Sequence, residues 1–229
     1  MPAMATPHWR DLGYLTPDAP ECQQDVWALC ARLQGHLAAL LDDLALRTAE
    51  PTWASVLGDA AGAARALRQE LLDAAGDAAV ERVSQDEALA EFEASLEEVL
   101  QSGHVPALIV TGSVVLGELA VLPARLLQDT AGPHARPLAA RVAASEAHRP
   151  LARLFAATDP SPADLENLRR MLRHLNGLLH VVYATWRQTF HVLGVDGELL
   201  DEEARHTAKA AAAALGLKLT SADLAVFRA

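Results

Sequence analysis

Only two of the 229 residues are cysteine, and aromatic residues make up 4%. Two thiols cannot staple a disulfide scaffold. Cys22 and Cys30 fall in one helical stretch, about 12 Å apart along the axis at helical rise, beyond the reach of a bridge. Both are expected to be ordinary reduced thiols. Positive charge is also scarce: 19 Lys and Arg stand against 30 Asp and Glu, a net charge of −11. That balance disfavours a protein that tracks nucleic-acid phosphates, and equally one that lies on an anionic membrane surface. The opening MPAMATPHWRDLGYL lacks a basic region followed by an apolar one, so a cytoplasmic location is expected. No alternating β-branched run is bounded by turn residues, and no internal repeat is visible. What remains is a chain that is 51% hydrophobic. This is enough apolar surface to bury a sizeable core and to exclude a wholly disordered chain.

The helical period dominates. Val26, Leu29, Cys30, Leu33, Leu37, Leu40, Leu41 and Leu44 form one helix face, in a helix expected from about Glu21 to Ala49, where Pro51 stops it. A second helix is expected from Trp53 to Ala75, broken at Gly76-Asp77. Ser84-Gln85-Asp86-Glu87 reads as a capping box before the stripe Leu89, Phe92, Leu96, Val99, Leu100. The acids Glu87, Glu91, Glu97 and Glu98 read as its solvated face. An apolar helix from Val105 to about Asp129 carries Pro106 in its first turn and should kink at Pro123. After a break at Ala131-Gly132-Pro133, a fourth long helix is expected to reach Ala157, bent at Pro150. Ser161, Pro162 and Asp164 start a fifth, with the stripe Leu165, Leu168, Leu172, Leu175, Leu179, Val182, Trp186 carrying it to about Val192. Gly194 to Gly197 reads as a turn, followed by an alanine-rich helix from Asp201 to Leu215 that ends at Gly216. The expected fold is all-α: one four-helix bundle over 1–229 with one or two additional helices. An extended segment covers 1–20, and a tail covers 216–229 whose Leu224, Val226 and Phe227 either dock or fray.

Val105 to Leu127 is long enough to span a bilayer. Glu118, Pro106, Pro123 and Arg125 interrupt it, and no Lys/Arg-rich flank sets a topology. A helix apolar all round also suits the centre of a helix bundle, and that is its expected place.

Few residues carry chemistry. A di-iron bundle needs a Glu from each of two helices and Glu-x-x-His from each of the other two, all pointing inward. The chain has one Glu-x-x-His, Glu203 to His206, on its polar terminal helix, and one copy cannot build the centre. No metal site and no cofactor are therefore expected. Glu118 stands alone among apolar residues, so it must be paired, hydrogen-bonded or protonated if buried. Glu146, His148 and His180 are the other candidates for a buried polar pocket with it. Glu146 and His148, two residues apart, would not share a helix face. His180 and His36 read as hydrogen-bonded core residues, as does Asp43. There is no GxSxG elbow and no glycine-rich phosphate loop, and neither cysteine has an activating neighbour.

The stretches ELAVLPARLL (118–127) and PLAARVAASE (137–146) resemble the phenylacetic acid catabolic protein family, the ferritin-like subunits of a phenylacetyl-CoA oxygenase. Leu172 to Trp186 falls where that family has its next long helix, and Val56 to Arg65 is a weaker echo. The resemblance implies a ferritin-like fold. It departs where the catalytic subunit carries an iron-binding Glu-x-x-His: the residue three after Glu146 is Arg149, and His148 comes one place early. A one-residue shift turns a side chain about 100° around a helix, and a guanidinium cannot ligate a cation. The resemblance thus implies the non-catalytic C-type subunit, whose role is to pair with and stabilise its catalytic partner.

The leading expectation is a metal-free ferritin-like protein that associates with itself or a homologous subunit through a helix face. Two alternatives stand beside it: an enzyme whose unorthodox pocket gathers Glu118, Glu146, His148 and His180, and a small-molecule-binding bundle.

Overall fold

The computed structural model describes residues 20–130, 133 and 135–227. The expected extended segment, most of the break before Pro137 and the last two residues of the tail lie outside them. The described residues are all-α, with no strand.

Helix α1 (Pro20–Arg47) and α2 (Pro51–Ala75) form a pair joined by three residues, a link short enough to make them antiparallel neighbours. The α1 stripe read from the sequence is buried throughout, from Val26 to Leu44. Pro51 sits in the first turn of α2, where its missing N–H costs nothing. Gly76, at φ 74°, ends α2, and α3 (Asp77–Ser84) starts directly after it. Helix α4 (Glu87–Ser102) comes next. Its cap is Asp86, whose carboxylate accepts from the Leu89 N–H at 2.9 Å. Ser84 is the last residue of α3 and turns its hydroxyl back to the Glu81 carbonyl. The capping box expected at Ser84 does not form: an extra helix uses up Ser84, and a simple Asp86 cap two residues on starts α4 instead.

The apolar stretch is one helical rod in three parts. Helix α5 (Val105–Val110) leads into a π-helical segment, Thr111–Leu119, and after a turn at Ala120-Val121 α6 (Leu122–Thr130) continues. The irregularity thus precedes Pro123. The rod is long and apolar enough to cross a membrane, and 83% of its most apolar window is buried inside the protein. The π segment touches α1 and three later helices, over Arg149–Ala156, Pro162–Thr185 and Gly197–Ala214. Two glycines allow the approach. A Cβ at Gly112 would lie 2.7 Å from methyl carbons of both Leu151 and Leu40, and one at Gly117 would overlap the Cβ and Cγ of His148.

The fourth long helix is instead two short ones, α7 (Arg136–Ala143) and α8 (Arg149–Ala156). Pro150 has no N–H to donate to Glu146 and fits only the first turn of a helix, so a new helix starts there and the old one cannot run through. Residues 144–148 form the turn this creates. Helix α9 (Pro162–Thr185) begins with a true capping box between Ser161 and Asp164. The expected fifth helix breaks at Trp186, and α10 (Arg187–Val192) completes it. The Trp186 ring is buried, and its indole N–H donates to the capping Asp86 at 2.8 Å, tying this corner to α4. Helix α11 (Gly197–Ala214) starts four residues earlier than expected, because Asp196 caps it. The tail docks. Phe227 and Asp223 are buried, and Asp223 accepts from Arg169, Arg173 and Thr220.

Candidate functional site

Glu118 lies near the end of the π segment. It is not enclosed by apolar side chains as the sequence suggested: 27% of the side chain is exposed. A π-helix bonds each N–H five residues back instead of four, as the Ala120 N–H does to the Val115 carbonyl. The extra residue rotates the next stretch of chain by about 100° relative to a continuous α-helix, and Glu118 faces the turn between α7 and α8 at the rim of the core. There its Oε1 meets Nε2 of His148 at 2.9 Å, and its Oε2 meets Nη2 of Arg125 at 2.6 Å. His148 is buried and held in place by the close approach over Gly117. Burial alone would raise the Glu118 carboxyl. The hydrogen bonds and charges of His148 and Arg125 outweigh it and hold the group down at about 2. Glu118 is an anion across the whole physiological range, with both oxygens taken.

The other candidates do not converge on this point. Glu146 is in the same turn but points outward, in an exposed ion pair with Arg149 at 2.6 Å. It borders an open cleft of about 610 Å³ with Trp53, Val56 and Pro150. His180 is buried on α9 against α11, with Nδ1 3.3 Å from Asp201 and the Phe227 ring edge-on at 5.9 Å. Burial pushes its imidazole below the ordinary value, while Asp201 opposes the shift. Among the described residues no hydrogen bond or ion pair joins His180 to Glu118. The expected four-residue pocket is thus a pair, Glu118 and His148, plus two separate sites. A bend at Pro150 and the width of the π segment account for the pairing.

The sequence requires a buried Glu118 to be paired, hydrogen-bonded or protonated, and an arginine or histidine partner fits that reading; that the arginine is Arg125 was not read there, where it showed only as a charge in an apolar run. It lies seven residues after Glu118, beyond the π segment and the turn at 120–121, so regular helical spacing does not bring the two together. A second cluster was also missed. His36 is not a core histidine: it is half-buried, with Nε2 3.0 Å from Oε1 of Glu93, which Arg32 also grips through Nε at 2.7 Å. Asp43 is likewise no core residue; it pairs with Arg47 at 2.6 Å. The single Glu-x-x-His, Glu203 and His206, lies on α11 with neither side chain buried.

The residues do not fit a di-iron centre. Among the described residues no three His, Cys, Asp or Glu side chains group so as to hold a metal ion. At Glu118, the carboxylate of the apolar rod, the Arg125 guanidinium occupies the position a cation would take. No family model matches the chain, and no curated protein matches it. What the Glu118 site can do chemically is limited by its bonding. A carboxylate with both oxygens engaged and an acidity near 2 is a poor base and carries no proton to donate.

Proposed function

We propose that the chain is a metal-free, ferritin-like helical scaffold of the kind the phenylacetyl-CoA oxygenase structural subunit exemplifies, acting in the cytoplasm by association with a second copy or a homologous subunit. The observation that carries this reading is the bonding of Glu118. In a working di-iron bundle the inward carboxylates bind cations. Here Arg125 supplies the positive charge and His148 the remaining hydrogen bond, so the carboxylate stabilises the bundle instead of holding a metal. The other two pocket candidates support the same reading, since Glu146 is tied to Arg149 on the surface and His180 lies against Asp201.

Sedimentation of the full chain across a hundredfold concentration range tests the associating role. A dimer, or a stoichiometric complex with a homologous subunit, is expected. A monomer throughout, with no such complex on mixing, overturns it.

A further inference from the structure

An open cleft of about 520 Å³ runs along the α1–α2 pair, on the side closed by α3 and α4. Its walls carry three arginines, Arg32, Arg65 and Arg68, in a chain whose net charge is −11. Arg32 is neutralised by Glu93, and Arg65 by Asp42. Among the described residues Arg68 has no carboxylate partner. Its stem lies flat across α1 where residue 35 is a glycine: a Cβ there would stand 3.1 Å from the Arg68 Nε and 3.2 Å from its Cδ. The missing side chain lets the guanidinium lie in the cleft. Leaving His36 aside, three cations against two carboxylates give the cleft a single surplus positive charge. The apolar part of the wall comes from Ala38, Leu72 and Val80.

We propose that this cleft binds a small monoanionic carboxylate with an apolar body, gripped at its head by the Arg68 fork. A guanidinium matches a carboxylate with two parallel hydrogen bonds. One surplus charge balances a monoanion and leaves a phosphate dianion under-compensated. The aliphatic wall gives an apolar tail area to cover, which a bare ion lacks. This site is separate from Glu118 and does not depend on the scaffold role proposed above.

Isothermal titration of the full chain with octanoate, inorganic phosphate and 1-octanol tests the idea, since these carry head and tail, head only, and tail only. Octanoate is expected to saturate with Kd below about 1 mM, and to bind more tightly than either of the others. Arg68→Ala should weaken it by about tenfold or more, the loss expected for a charge-assisted pair. Arg68→Lys, which keeps the charge without the fork, should weaken it less. Arg153→Ala is the control, because Arg153 is another arginine with no carboxylate partner among the described residues and lines a different cleft. The proposal is overturned by no saturable octanoate binding, by phosphate binding as tightly as octanoate, by Arg68→Ala binding like the unchanged protein, or by an equal loss in Arg153→Ala.

Discussion

Replacing Glu118 by Gln removes one negative charge from between Arg125 and His148 while keeping the side chain's size. A carboxyl held at about 2 instead of its ordinary 4.5 stabilises the fold by up to about 3 kcal/mol at neutral pH, at about 1.4 kcal/mol per factor of ten in acidity. With 27% of the side chain exposed, solvent and salt trim this to about 2 kcal/mol. The direction with pH is fixed by the sign of the shift. A lowered carboxyl contributes fully above its unfolded value and loses that contribution as pH falls from 4.5 towards 2. Urea unfolding at pH 7, 5 and 3.5 reads the effect. Glu118→Gln should lower the midpoint at pH 7 by roughly 0.8 M, for a slope of about 2.5 kcal/mol per M. The gap should be nearly unchanged at pH 5 and about 1 kcal/mol smaller by pH 3.5, where the unchanged protein begins to lose the same interaction. Equal midpoints at pH 7, or a gap that does not shrink by pH 3.5, would refute the ionised, doubly bonded Glu118.

Three further perturbations probe the ground around this site. The Leu119 carbonyl would ordinarily receive the N–H four residues on, but that residue is Pro123, and the buried Tyr183 hydroxyl donates to it instead at 2.5 Å. Tyr183→Phe should therefore cost about 1–3 kcal/mol in chemical denaturation, and less in a Pro123→Ala background, where a backbone N–H is restored. Gly117→Ala, which drives a Cβ into His148, should cost about 1–3 kcal/mol and shift the His148 ring signals in NMR spectra; a neutral result contradicts the close approach. Asp223→Ala leaves Arg169 and Arg173 without their shared, buried carboxylate. A loss of about 3 kcal/mol, with faster proteolysis of the last ten or so residues, is expected. The hydrogen bonds of Thr220, Arg173 and Arg169 hold the Asp223 carboxyl far below its ordinary range against the opposing pull of burial, so this contribution is complete at neutral pH and is lost progressively as pH falls below the ordinary value of 3.8.

The helices were legible wherever one face alternates with another. The α1 stripe and the α9 stripe up to Val182 need only the three-four spacing, and Ser161-Pro162 announces its own cap. Legibility failed in the rod from Val105 to Gln128 for a physical reason. Nearly every residue there is apolar, so the pattern has no phase, and a helix that widens to the π form leaves no mark in it. Glu118 was conspicuous as a residue type, but its direction depends on that hidden widening. The pairing with His148 depends on Pro150 ending a helix that the alanine-rich spacing carries straight through. Glu93 shows the opposite case. It lies on α4 beside four solvated acids and differs from them only in facing Arg32 and His36 across 57 residues or more of chain, a relation that local periodicity does not encode.

Metal content tests the central claim most directly: that a guanidinium takes the cation's place beside Glu118. The full chain, expressed with added iron and purified without tags or chelators, should carry less than about a tenth of an iron per chain, since a di-iron centre needs two intact ligand pairs. Arg125→Ala should not raise that figure, because removing the guanidinium supplies no second Glu-x-x-His. Near-stoichiometric iron in the unchanged protein would contradict the account, and would make an acid or histidine now assigned to bundle stability a ligand instead.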